Sequence, residues 1–122
     1  MEAFASTPTP PYYAVVFTSV LTGAETEAYS RMAETMERLA QSQEGYLGIE
    51  STRDSNGVGI TVSYWKDLAS IKAWRQNAEH RVAQRYGKEV WYSRFRVRIC
   101  KVVDEYDELD SAQSSENEIV DG

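Results

Sequence analysis

Only one cysteine occurs in the 122 residues, Cys100 within RVRICKVV. A single thiol makes neither an internal disulfide nor a zinc site. This suits a reducing compartment and sets the expectation of a cytoplasmic protein. No stretch approaches the roughly 18 consecutive apolar residues of a membrane helix. The leading MEAFASTPTPPYY lacks a basic segment followed by a long apolar one, so no signal peptide is read. Lysine and arginine are missing from Asp104 to the end, where eight Asp or Glu stand. The formal charge of -6 therefore belongs to the tail, and residues 1–103 carry thirteen basic against eleven acidic residues, a net of +2. Neither part has the strong positive field of a nucleic-acid binder. There is no ligand cluster and no glycine-rich phosphate loop, so no metal, flavin or other cofactor is implied.

What is present is an ordinary single domain's worth of chain, 42% hydrophobic and 26% charged. Aromatic residues reach 11%, with eight Tyr and three Trp, enough to line a pocket. Residues 1–11 hold Pro8, Pro10 and Pro11 among Ser and Thr and read as an extended, poorly ordered arm. Residues 12–20, YYAVVFTSV, read as a buried strand. Tyr29, Met32, Ala33, Met36, Leu39 and Ala40 then form one helical stripe. Glu25 and Glu27 fall in its first turn and Gly45 is expected to cap its end. The two methionines read as core packing.

Residues 46–53 and 58–65 read as a hairpin turned at Ser55-Asn56-Gly57. In its second strand Ile60, Val62 and Tyr64 alternate with Thr61, Ser63 and Trp65. Asp67 is the expected N-cap of a second helix, with Leu68, Ile71, Trp74, Ala78 and Val82 on its stripe. Asn77 is expected to divide that helix into 67–76 and 78–86, and Gly87 to stop it. RFRVRICKVV closes the series as a strand, Phe95, Val97 and Ile99 on one face and Arg94, Arg96, Arg98 and Cys100 on the other. The remainder, an acidic tail over 107–122, reads as disordered and solvated.

The order strand, helix, strand, strand, helix, strand predicts an α+β protein, a ferredoxin-like βαββαβ antiparallel sheet with both helices on one face. The other face is then uncovered and is expected to carry Thr61, Trp65, Arg96 and Arg98. A tryptophan-bearing face of that size does not belong in water. Closure of two sheets in a homodimer, a dimeric α+β barrel, is the economical solution.

Three segments in matching order, GYLGIES, ITVSYWKDLASIKAWRQNAEH and WYSRFRVRICKV, resemble the antibiotic biosynthesis monooxygenase superfamily of dimeric α+β barrels. Within it they are similar to a small bacterial branch with the pattern SYW, W, AEH, WY. The resemblance covers residues 12–106. It implies one of two activities: cofactor-free oxygenation of aromatic phenols to quinones, or oxidative haem degradation. Haem-degrading members carry the ligand histidine about three turns after a helix tryptophan. Here Trp74 is followed by His80 after six residues, Gln84 stands ten residues on, and the first strand ends in Thr18 and Ser19 without the distal asparagine. The oxygenase reading needs less. His80 could take the phenol's proton, Arg98 could stabilise the phenolate, and Asn77 could hydrogen-bond a substrate carbonyl. Trp65, Trp74, Trp91, Tyr64 and Tyr92 could bind a planar ring.

Each of these residues also has a plainer reading. His80 could bond backbone groups at a helix junction and pack on Trp91. Trp74 fits core packing, Arg96 and Arg98 fit ion pairs with Glu50 or another carboxylate, and Cys100 fits a small strand residue. The functional expectation is thus a cofactor-independent monooxygenase of a small electron-rich aromatic. A non-catalytic module that binds a small hydrophobic compound or serves as an accessory dimer is the alternative, with haem degradation a third.

Overall fold

The computed structural model describes residues 3–24, 26–85 and 91–108, with the backbone alone for 80–85. The elements are β1 (Tyr12–Leu21), α1 (Thr26–Gln41), β2 (Tyr46–Arg53), β3 (Val58–Trp65), α2 (Leu68–Arg85) and β4 (Tyr92–Val102). The strands form one antiparallel sheet in the order β2-β3-β1-β4. This is the expected ferredoxin-like α+β arrangement. Among the described residues no helix is long and apolar enough to cross a membrane, and no group of three His, Cys, Asp or Glu could hold a metal ion.

Local chemistry explains the boundaries. Asp54 closes the β2–β3 hairpin by accepting from the backbone N–H groups of Asn56 and Val58, both at 2.9 Å. Gly57 takes the positive φ of 89° that this turn requires. Asp67 Oδ1 accepts the Ser70 N–H at 2.8 Å, the third-residue bond of an N-cap. The Ser70 hydrogen bonds hold its carboxyl below the usual carboxylate range. On α1, Met32 and Ala40 are buried, and Tyr29, Ala33, Met36 and Leu39 half-buried, so the predicted stripe is the face turned to the sheet.

The core forms where α1 and α2 meet one end of the sheet. Ala40, Trp65 and Ile71 are buried there, with Tyr13, Val15, Tyr46 and Trp74 packed against them. Side chains of this size contribute about 1.5–3 kcal/mol each when fully buried. Trp65 stacks on Trp74 at 6.0 Å and meets Tyr46 edge-on at 5.6 Å, and its indole N–H donates to the Ser63 hydroxyl at 2.9 Å.

Three local expectations are corrected by these contacts. Thr61 and Trp65 lie on the helix-side face, not the open one. Trp65 pairs with Tyr13 and Tyr46, and Ser63 with Val15, beneath the helices. Ile60, Val62 and Tyr64 point the other way, because one step along a strand reverses the face. Asn77 does not break α2, which runs unbroken from Leu68 to Arg85. Its side-chain amide donates to the Ala73 carbonyl at 3.4 Å, within its own helix. Gly45 does not cap α1, which ends at Gln41. Ser42 and Gln43 donate back to the Leu39 and Ala40 carbonyls. Gly45, with φ 91°, instead turns the chain into β2 where any Cβ would collide with Ser70. Gly87 lies outside the described residues.

Candidate functional site

On the helix side the sheet has two unlike halves. The half nearest the core is sealed by Trp65. The other half, along β1 and β4, carries a cluster of rings. The register between these strands shifts at Val20 and Leu21, setting Tyr92 opposite Leu21 and Phe95 opposite Ser19. Phe17, two residues before Ser19 on the same face, meets Tyr92 at 5.4 Å and Phe95 at 5.7 Å. From above, α1 brings Tyr29 edge-on to Trp91 at 5.9 Å and to Tyr92 at 5.8 Å. The backbone N–H of Thr22 donates to the Trp91 carbonyl at 2.7 Å and fixes the start of β4. Such edge-on and offset pairs each add about 0.5–1.5 kcal/mol beyond area burial.

The cluster is firm at one end and open at the other. Trp91 is buried, and the Tyr92 hydroxyl donates to that of Tyr29 at 3.4 Å. Burial, then the Tyr29 hydroxyl, push the Tyr92 phenol well above its ordinary range, against a smaller opposing pull from Arg53. Tyr92 therefore stays neutral at physiological pH. Beyond it Phe95, Val97 and Ile99, all helix-side residues, remain 38%, 43% and 43% exposed. The result is an apolar ledge bordered by aromatic edges, able to take a planar ring.

A polar group stands at the closed end. Arg53 of β2 reaches across β3 to β1, where Nη1 donates to the Ser19 carbonyl at 3.3 Å and Nη2 to the Ser19 hydroxyl at 2.8 Å, while Nη1 also donates to the Gly57 carbonyl of its own hairpin turn at 2.5 Å. Gly59 permits this crossing: a Cβ there would stand 2.5 Å from the Arg53 Cζ.

The sequence-predicted residues do not gather at this one place. Trp91 and Tyr92 belong to the aromatic cluster. Trp65 and Trp74 belong to the core at the other end of the sheet. Asn77 is exposed on α2 and bonded within its helix. Tyr64 is on the open face, where its hydroxyl donates to Glu50 Oε1 at 2.7 Å and burial pushes its phenol up. Arg98 is also on that face, paired in register with Val16, opposite to the side covered by the helices. His80 lies in α2, and its side chain is outside the described residues. Sequence reading missed Arg53, Ser19, Phe17 and the ledge role of Tyr29. A strand glycine that falls opposite an arginine across a hairpin, Gly59 opposite Arg53, was the available signal.

The open face has its own polar set. The arm lies over it: the backbone N–H of Ala5 donates to Glu50 Oε2 at 2.9 Å, and Ala5 covers Gly48. Tyr12 donates to Glu105 and shares a 3.0 Å hydrogen bond with Thr7. Val58 and Ile60 remain 41% and 44% exposed, beside the half-buried Val16 and Val62.

Residues 11–86 match the family model for antibiotic biosynthesis monooxygenase. The uncharacterized protein YqjZ of Bacillus subtilis (strain 168) is 47% identical over 102 residues, which is 84% of this chain and 89% of that one. Among solved structures, the chain resembles SnoaB, a cofactor-independent oxygenase from Streptomyces nogalater. The TM-score is 0.63 at 13% identity, over 81% of this chain and all of that one (100%). It also resembles PA3566 from Pseudomonas aeruginosa, with a TM-score of 0.62 at 16% identity over 79% and 98% of the two chains. At such identities the structural likeness speaks to the fold.

Proposed function

The chain belongs to the antibiotic biosynthesis monooxygenase family, and from that premise we propose that it is a cofactor-independent monooxygenase oxidising a small electron-rich phenol or quinol. The observation that carries this reading is the half-open aromatic ledge of Phe17, Tyr29, Tyr92 and Phe95, continued by Val97 and Ile99. In such a reaction the phenol is the reductant. One oxygen atom of O2 enters the ring to give the quinone and the other leaves as water. The protein's tasks are then to hold the ring flat, keep it dry and take up the phenolic proton. The edge-on rings supply the first, and the buried Trp91 shields the closed end from water. His80, carried by α2, is the proposed proton acceptor, since an imidazole titrates near neutral pH. Asn77, on the same helix, is the proposed partner for a substrate carbonyl.

A homodimer belongs to the same proposal. Val16, Val58, Ile60 and Val62 line the face away from the helices. Two copies meeting there remove that apolar surface from water. Arg98 would then lie at the edge of the paired sheets, and a cytoplasmic location is proposed with it.

A melting-temperature screen with naphthols, hydroxyquinones and haem tests the ligand side of this reading. A binder at a hundred times its dissociation constant stabilises by about 2.7 kcal/mol, so a naphthol should raise the melting temperature by several degrees. Phe95→Ala, which removes an exposed ring of the ledge, should halve that shift or more, and His80→Ala should fold and still bind. Stabilisation by haem alone would argue for the haem reaction. Naphthol binding without oxygen uptake would argue for a binding module.

A further inference from the structure

Arg53 has an unusual setting for a cation. It is half-buried on the helix-side face, and among the described residues no carboxylate lies within 4.0 Å of its guanidinium. Its neighbour Asp54 turns its carboxylate into its own hairpin, on the N–H groups of Asn56 and Val58. Removing a charge from water without an opposite charge is costly, so such a group is normally paired. The fork is also only partly used. A guanidinium carries five N–H donors. Both on Nη1 and one on Nη2 are engaged by Ser19 and Gly57. The Nε–H and the second Nη2–H have no acceptor among the described residues. Those two donors share one edge of the fork, the edge that grips an oxyanion by two parallel bonds.

The position gives this edge a purpose. Arg53, Gly59, Ser19 and Phe95 form one row across the four strands, in register. Strands are about 4.8 Å apart, and the guanidinium ends over Ser19, the register partner of Phe95, close enough to Tyr92 to act on its phenol. Among the described residues, the phenols nearest this corner are Tyr29 of α1 and Tyr92 of β4, and the Tyr92 hydroxyl donates to that of Tyr29. The cation thus closes the polar end of an otherwise apolar ledge.

We infer that Arg53 holds an oxyanion at the end of the ledge, so that the preferred ligand is a planar aromatic with an ionised hydroxyl on the edge facing β2. The inference rests on the reading of the ledge as the aromatic site and adds to it the chemical class of the ligand. Binding to Arg53 favours the phenolate over the phenol. An electron-rich phenolate is the form that gives up electrons to oxygen, so a single contact both selects the ligand and prepares it. Arg53 keeps its own position through Ser19 and Gly57, and so offers its free edge without first paying for order.

Para-nitrophenol, whose anion absorbs visible light, is the probe. Its ionisation midpoint is read by absorbance when bound to the full-length protein, with occupancy followed by quenching of tryptophan fluorescence. An adjacent cation lowers such a midpoint by about one unit or more, equivalent to tenfold tighter binding of the anion. The lowered midpoint should return to that of the free probe in Arg53→Gln. It should do the same in Gly59→Ala, where the cation is kept but a Cβ 2.5 Å from Cζ displaces it. Arg53→Lys, with charge but no fork, should fall between. Because Gly59→Ala and Arg53→Lys leave a positive side chain, an unfolded Arg53→Gln protein would not shield the inference. Probe bound with an unshifted midpoint in the wild type, or a shift that survives in Gly59→Ala, overturns it. If a phenol consumes oxygen while the bound probe is unshifted, Arg53 is excluded and the oxygenase reading stands. A shifted midpoint with no turnover leaves Arg53 and removes the oxygenase. A probe that does not bind at all overturns the inference, and the oxygenase reading is then decided by naphthol binding and oxygen uptake.

Discussion

Trp65→Ala lowers the unfolding free energy by about 3–5 kcal/mol, the cost of a large buried aromatic and the cavity it leaves. Its side chain is 0% exposed, and it joins Ala40 and Ile71 to Tyr13, Tyr46 and Trp74. The substitution also leaves the Ser63 hydroxyl, itself buried, without its indole donor. For a domain of this size the loss corresponds to a fall in melting temperature of about 10–25 °C, a large share of the total stability of a typical domain. Thermal unfolding by circular dichroism measures it. A fall of only a degree or two would mean that Trp65 lines an open site and is not part of the core.

The second large effect concerns association. Ile60→Glu places a carboxylate in the middle of the open sheet face, on a residue paired with Thr18 and Thr52 and 44% exposed in one chain. Burying an unpaired charge between two sheets costs several kcal/mol, so the dissociation constant of the proposed dimer should rise by about a hundredfold or more. Light scattering at micromolar concentration should show a dimer for the wild type and a monomer for Ile60→Glu, with the helical signal of each protomer kept. A wild-type monomer would rule out the proposed dimer. A dimer that survives Ile60→Glu would place its interface elsewhere.

The fold was legible because each element has a strong local signature. The β-branched and aromatic run of β1, the Asn-Gly turn, the Asp67 cap and the strict alternation of β4 all point to the same topology as the structure. The faces of β3 were not legible. Ile60, Val62 and Tyr64 look like core by alternation alone, yet Trp65, Ser63 and Thr61 meet the helices. Both faces of that strand bear apolar weight, and periodicity carries no sign to say which one the helices cover. Asn77 misled for a different reason. Asparagine competes with helix by bonding nearby backbone, but here its amide bonds the carbonyl four residues earlier, an acceptor within the helix itself. The ledge was half legible: Trp91 and Tyr92 were singled out, while Phe17 and Tyr29 passed as ordinary core. Arg53 was hidden because its contacts join strands that only register brings together, with Ser19 thirty-four residues away in the chain.

On the proposed function, the ledge oxidises a phenol with oxygen alone. Oxygen uptake by the metal-free protein with a naphthol, recorded together with the quinone formed, tests it most directly. One oxygen molecule should be consumed per quinone formed, with uptake lost in His80→Ala although that variant melts as the wild type does and still binds the naphthol. Naphthol bound on the ledge of the wild-type protein, with no uptake above the protein-free rate, would contradict it.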